Sequence, residues 1–311
     1  MSRKIVVFGS FVVDLTSRQK GLPKAGQTLL GKSFKMGAGG KGSNQAVAAH
    51  RAGADVTLVT KIGNDVFGSV ALDFYQTEGM ETAYILCDPV KETGVALILV
   101  DEESAQNEIV VVSGACGNIT AEDVQQCRNL VESAAILLVQ LEINFDALFS
   151  VIALAHTAGV TVVLNPAPAA QIPEELYSKI DIVTPNETEV QVLTGIEIKN
   201  EADARRAAKV FHARGVQNVV ITLGEMGAFG SDGKRDELLP RIPVKAVDTT
   251  GAGDAFNGGF AMALAEGFHL FDAMRYGNVT GALSVTKLGT APSMPARAEI
   301  DDMFRKQYGR K

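Results

Sequence analysis

Three short apolar runs, Ile136 to Leu141, Val160 to Leu164 and Ile180 to Thr184, are separated by stretches each long enough for a helix. Short runs this rich in apolar residues read as strands buried on both faces, and parallel neighbours need a crossover of about a dozen residues or more between them. The spacing therefore predicts parallel strands joined through helices. Lys4 to Phe8, Asp55 to Thr60 and Asn218 to Leu223 read as further strands, and Asp65 to Glu78 and the amphipathic Glu201 to Arg214 as helices. The fold class that follows is α/β: a doubly wound, mostly parallel sheet with helices on both faces. At 311 residues, 46% hydrophobic and 21% charged, the chain can bury a sizeable core as one large domain or two ordinary ones.

Ligands of open α/β sheets collect at the carboxyl ends of the strands, and polar residues stand at those ends here. Gln140 and Glu142 close one run, Asn165 the next, Pro185-Asn186-Glu187-Thr188-Glu189 the third, and Thr222-Leu223-Gly224 the last. Asp14 follows the first strand, placed to hydrogen-bond a sugar or another polyol, although an acid there also serves as a turn or a cap. Glu187 and Glu189 open a helix. They either complement its dipole or hold a hydrated Mg²⁺, which needs few protein oxygens.

Two glycine-rich stretches enter helices. Val247 to Phe256 reads V-D-T-T-G-A-G-D-A-F and leads into a small-residue helical run ending at Ala265. Amides at a helix N-terminus are unpaired, so Gly251, Ala252 and Gly253 form a candidate anion hole, with Asp254 in the first turn as a candidate proton acceptor. A helix with a glycine-rich entry and an N-terminal acid is the plainer alternative. Met36 to Ala46, M-G-A-G-G-K-G-S-N-Q-A, is the second entry. It lacks P-loop spacing, and Gly40 with Lys41 and Asn44 suits recognition of hydroxyls; a tight loop accounts for the glycines but not for the polar pair. Neither stretch has the dinucleotide spacing G-x-G-x-x-G directly after the first strand, which counts against a dinucleotide-binding oxidoreductase.

Between Leu15 and Lys35 the periodicity is poor, with Thr28-Leu29-Leu30 and Ser33-Phe34 as short exposed strands, and Gly94 to Val100 with Glu108 to Val112 makes a hairpin. These segments predict a small appended sheet that closes over a ligand or pairs with its copy in a dimer. The net charge of −7 argues against a nucleic-acid surface, and no apolar run is long enough to span a bilayer. With no signal-peptide pattern after Ser2-Arg3-Lys4, a cytoplasmic location is expected. Cys87, Cys116 and Cys127 read as buried free thiols, and the four scattered histidines as surface or packing residues.

On G-G-K-G-x-N-Q-A, P-N-E-T-E and D-T-T-G-A-G-D-x-F, in that order, the chain resembles the ribokinase (PfkB-type) family of sugar and nucleoside kinases over essentially its whole length. Asn-Gln-Ala-Val-Ala-Ala and Asn-Pro-Ala-Pro-Ala at 165–169 resemble its ribokinase branch. The resemblance implies a single domain over 1–311, with lid segments at about 15–35 and 93–113 that also build a homodimer contact. It implies an ATP-dependent sugar kinase acting on the 5-hydroxyl of D-ribose or 2-deoxy-D-ribose. Asp254 would be the base and Gly251, Ala252 and Gly253 the anion hole. Asp14, Gly40, Lys41, Asn44 and Glu142 would hold the sugar. Asn186, Thr222, Gly224, Gly253 and Asn278 would line the ATP site, and Glu189 would organise water around Mg²⁺. An activating K⁺ would lie among Asp248, Thr250, Ser284, Lys287, Gly289 and Ser293, several through backbone carbonyls.

One position departs from the family pattern G-S-x-N-x-D: the chain reads Gly9-Ser10-Phe11-Val12-Val13-Asp14. Val12 replaces an asparagine expected on a sugar hydroxyl, which opens the site to 2-deoxyribose. A kinase of another sugar or of a nucleoside, and a catalytically silent sugar sensor, are the alternatives; a sensor has no need of a base beside an anion hole.

Overall fold

The computed structural model describes residues 3–104 and 106–309. In chain order the strands are β1 (Ile5–Phe8), β2 (Val12–Gln19), β3 (Ser33–Gly39), β4 (Val56–Gly63), β5 (Ile85–Asp88), β6 (Thr93–Asp101), β7 (Asn107–Gly114), β8 (Ile136–Val139), β9 (Thr161–Leu164), β10 (Ile182–Val183), β11 (Asn218–Thr222), β12 (Ala228–Ser231) and β13 (Asp236–Leu239). Nine of them form one sheet in the order β13-β12-β11-β10-β9-β8-β1-β4-β5. From β11 to β5 the pairs are parallel, while β12 and β13 add an antiparallel edge that the apolar pattern does not reveal.

β1, β4 and β8 are buried along their whole length, as strands with both faces covered must be. β1 lies between β4, which follows it after β2, β3 and one helix, and β8, which returns much later in the chain. Strand order reverses there, which opens a crevice at the carboxyl end of β1. Helices Lys41–Arg51 and Ala252–Ala265 both begin near that crevice. They are drawn together where Gly258 faces Ala48: a Cβ on Gly258 would stand 2.4 Å from the Ala48 Cβ.

The remaining four strands form a separate sheet in the order β3-β2-β6-β7, antiparallel except where β2 and β6 run parallel. Residues 15–35 depart from the expected pair of short exposed strands. No strand forms at Thr28-Leu29-Leu30, while β2 starts at Val12 and β3 extends from Ser33 to Gly39. β2 has no clear alternation because it pairs on both sides and is only half-buried over Asp14 to Arg18. Asp14 thus lies within a strand and not in the turn after β1. The hairpin of β6 and β7 matches the expectation, with residue 105 of its turn outside the described residues. Cys116 and Cys127 are buried free thiols, but Cys87 is exposed, because β5 is an edge strand. Among the described residues no helix is long and apolar enough to cross a membrane.

Candidate active site

Gly251 caps helix Ala252–Ala265 at φ 77°, in the left-handed region that favours glycine. The Ala252 amide turns back to the Thr249 carbonyl at 3.3 Å, whereas those of Gly253 and Asp254 find no acceptor among the described residues. The Gly251 amide likewise has none, so of the three amides expected to be free that of Ala252 alone is engaged, and the Asp254 amide joins the other two. Asp254 is 7% exposed and sits in this first turn. Asn44 Nδ2 donates to its Oδ2 and Gln45 Nε2 to its Oδ1, each at 3.0 Å. Asn44, read as a sugar contact, thus also touches the candidate base, and its own Oδ1 is buried without a partner. An unpaired buried acceptor is costly unless a ligand hydroxyl or water fills it.

Helix Lys41–Arg51 has no side-chain cap from Gly40. Glu142, just past the end of β8, supplies one: its Oε2 accepts from the Lys41 amide at 2.8 Å and from Ser10 Oγ at 2.5 Å. Burial works against the charge of Lys41, but Asp254, Glu142 and Glu189 together outweigh it and hold the ammonium above its ordinary range.

Asp14 projects over Gly39, where a Cβ would stand 2.0 Å from its Oδ1. Burial pushes its carboxyl up to about 6; Thr290 pulls it down, and Glu142 and Asp254 push it further up. Asp14 lines one part of a cleft of about 1020 Å³ between the four-stranded sheet and the loops carrying Asp248, Thr250 and Gly289. Carboxylates at the crevice are acceptors for hydroxyl donors, while the helix amides are donors for an anion; the arrangement suits a neutral polyol beside a phosphate. Val12 is buried and paired with Gly39 and Gly94.

At the ends of β10 and β11, Asn186 bridges to Thr222. Asn186 and Glu189 form a reciprocal capping box: the Asn186 side chain accepts from the Glu189 amide, and Glu189 Oε2 accepts from the Asn186 amide, each at 2.8 Å. Burial pushes Glu189 up to about 7, against the pull of the Asn186 amide and Lys41. Gly224 opens a short turn whose Cβ position would lie 3.6 Å from Glu187 Oε1. Asn278 is engaged elsewhere, donating to the Pro240 carbonyl at 3.0 Å and to the Tyr308 hydroxyl at 3.3 Å.

Asp248 staples two loops, accepting from the Thr250 amide and the Gly289 amide at 3.0 Å each. Burial opposes its charge, but these bonds prevail and keep its carboxyl below the usual range. Ser284 and Ser293 are buried, their hydroxyls donating to the Gly281 and Thr290 carbonyls at 2.8 Å. The Lys287 ammonium pairs with Glu299 at 2.8 Å.

Sequence reasoning did not single out Thr290 or the role of Gln45. Thr290 Oγ1 reaches Asp14 Oδ2 and the Ala38 carbonyl at 3.4 Å, joining the Asp248 loops to the small sheet. Its only signal is its place beside Gly289. Gln45 stands next to Asn44 in a run that is otherwise small and apolar, so a polar residue there had to have buried partners.

The profile of the pfkB family of carbohydrate kinases matches residues 2–297. The ribokinase of Haemophilus influenzae is 41% identical over 299 residues, covering 96% of this chain and 97% of that protein. A deoxyribokinase of Salmonella typhi is 35% identical over 299 residues, with coverage of 96% and 97%. The structure of Arabidopsis thaliana ribokinase complexed with ribose and ATP matches with a TM-score of 0.89 at 31% identity, over 98% of this chain and 99% of that one.

Proposed function

The chain belongs to the pfkB family of carbohydrate kinases, and from that premise we propose that it transfers the γ-phosphate of ATP to the 5-hydroxyl of D-ribose or 2-deoxy-D-ribose. The observation that carries this is Asp254: a buried carboxylate in the first turn of a glycine-capped helix, beside amides with no partner of their own. The sugar oxygen attacks the γ-phosphorus, its proton passes to Asp254, the bond to the bridging oxygen breaks and ADP leaves. The Gly251 and Gly253 amides, with that of Asp254, would hold the charge that develops on the transferred group, and Ala252 would shape the turn between them.

Asp14, Gly40, Lys41, Asn44 and Glu142 would hold the sugar, with the orphaned Asn44 Oδ1 as one acceptor. Asn186, Thr222 and Gly224 would line the nucleotide site, with Gly253 at the phosphates; Asn278, committed to Pro240 and Tyr308, would act there by shaping the wall. Both Glu189 oxygens already accept from Asn186, which suits a magnesium ion held through water and not directly. Such an ion would neutralise charge on the ATP phosphates. Asp248, Thr250, Ser284, Lys287, Gly289 and Ser293 would supply hard oxygens, several of them backbone carbonyls, to an activating potassium ion; the Lys287 ammonium is paired with Glu299. The four-stranded sheet would serve as lid and as the contact of a homodimer.

Val12 favours the second sugar. A ribose 2-hydroxyl against an apolar wall loses a partner at a cost of about 1 to 3 kcal/mol, and 2-deoxyribose does not. The test is a panel of sugars and nucleosides with ATP, coupled to ADP release, in potassium and again in sodium. Turnover of 2-deoxyribose at least equal to ribose, shifted about tenfold toward ribose by Val12→Asn, supports this reading. Phosphorylation of nucleosides alone, or no ADP release with any sugar, would remove it.

A further inference from the structure

Asp254 Oδ1 ends a chain of buried polar groups that reaches from the strand ends back to the same helix turn. Gln140 Nε2 donates to Gln45 Oε1 at 2.7 Å. Gln45 Nε2 donates twice, to Asn165 Oδ1 at 2.9 Å and to Asp254 Oδ1 at 3.0 Å. Asn165 Nδ2 donates to the Thr184 carbonyl at 2.9 Å, Thr184 Oγ1 to Asn257 Oδ1 at 2.6 Å, and Asn257 Nδ2 to the Gly253 carbonyl at 2.9 Å. Gln45 and Gln140 have no exposure, and Thr184 and Asn257 have 1% each.

Both N–H groups and the oxygen of the Gln45 amide are therefore in use. A flipped amide would set its oxygen against the Asp254 carboxylate and against Asn165 Oδ1, and its nitrogen against Gln140 Nε2, so the network permits one orientation only. Each oxygen of Asp254 accepts one amide N–H, Oδ1 from Gln45 and Oδ2 from Asn44, so the two bonds together fix the plane of the carboxylate. The far end of the chain grips Gly253, whose amide is one of the free donors. Base and anion hole are thus fastened through one set of bonds to the ends of β8, β9 and β10.

We propose that Gln45 is a positioning residue that fixes the Asp254 carboxylate relative to the Gly253 anion hole through the Gln140, Asn165, Thr184 and Asn257 network. This rests on the reading of Asp254 as proton acceptor. Its value is geometric: a misplacement of about 1 Å in a reacting group costs on the order of 10²-fold in rate. Lys41, Asp14 and Glu189 also act on Asp254 by charge, and none of them takes the place of a bond to Oδ1.

The experiment is a double-mutant cycle of Gln45→Met and Asp254→Asn, with kcat, the KM values for sugar and ATP, and Tm measured on all four proteins. Gln45→Met is expected to lower kcat by roughly 10- to 100-fold with both KM values within about threefold, and to change kcat less than about twofold when Asp254 is already Asn. An equal kcat loss in both backgrounds, a loss confined to KM, or an unchanged kcat would overturn the proposal. Should Gln45→Met fail to fold, the isosteric Thr184→Val breaks the bond to Asn257 with less disruption. A kcat about threefold lower in the parent only is then expected, and an unaltered kcat overturns the proposal. An Asp254→Asn protein as active as the parent would sink the base assignment and this inference with it; an inactive one beside an uncoupled Gln45→Met sinks this inference alone.

Discussion

In the nine-stranded sheet β1, β8 and β9 bury nearly every side chain, whereas in the four-stranded sheet β7 leaves Ile109, Val110, Val111 and Val112 about half exposed. The register explains what the second sheet lacks. Met36, Leu15, Leu97 and Val110 stand in one row across its four strands, because Leu15 pairs with both Met36 and Leu97, and Leu97 with Val110. Leu15 still packs against the core, but Met36, Leu97 and Val110 of that row, with the neighbouring Phe34 and Val112, form an exposed apolar face. A face of this kind ordinarily meets a partner. The first sheet is thus a finished core able to hold reacting groups in register, and the second leaves an open face that the proposed dimer would cover.

The largest effect tests the finished half. If the nine-stranded sheet holds Asp254 only to accept a proton, Asp254→Asn lowers kcat by about 10² or more, leaves both KM values near those of the parent and keeps Tm within a few degrees. Steady-state kinetics and a melting curve check this. A mutant turning over within a few fold of the parent would detach the rigid half from the chemistry.

The next effect tests the unfinished half. Val110→Asp places a charge in the middle of the apolar row, and its burial in an interface has no compensating partner. Sedimentation equilibrium is expected to show a dimer for the parent and a dissociation constant raised by about tenfold or more for the mutant. A monomeric parent at micromolar concentration would break the comparison, since the open face would then be a property of the chain alone.

The two halves also differ in how far the sequence reveals them. A run as short and apolar as Ile136 to Val139 is legible as a strand, because it is too brief for a helix and its composition is that of a strand covered on both faces. β2 escapes that reading: Asp14, Thr16 and Arg18 look toward the cleft while Leu15 looks the other way, so function and packing interleave over a few residues. The same holds in the site. Asp254 and the glycines before it are legible because a helix entry has few uses for that pattern. Thr290 and the Gln45 network are set by contacts 276 and 209 residues apart in the chain, Asp14 with Thr290 and Gln45 with Asp254, and no local pattern encodes such a distance. That the Ala252 amide is engaged and not free depends on one turn bond to Thr249, again invisible in residue types.

Asp14 lies where the halves meet, on a strand of the small sheet but facing Glu142 and Asp254 of the large one, and carries the smallest predicted effect. Its carboxyl stands at about 6 in the folded protein against 3.8 as the ordinary value, chiefly because of burial. Between those two values the folded state binds more protons than the unfolded one, so stability falls as pH rises through that interval and stays lower above it. The full shift corresponds to about 3 kcal/mol, and partial exposure reduces this to about 1 to 2 kcal/mol. Asp14→Asn is therefore expected to raise Tm by a few degrees at pH 8 and by progressively less below pH 6, with no gain near pH 4. The same substitution should weaken sugar binding about tenfold at pH 8, because a hydroxyl donor loses its charged acceptor. Stability gained together with affinity lost would mean that the junction holds a carboxylate the fold does not favour, for the ligand's sake. A Tm difference that does not vary with pH would instead make Asp14 an ordinary packing residue of the small sheet and separate the two halves at the point where they join.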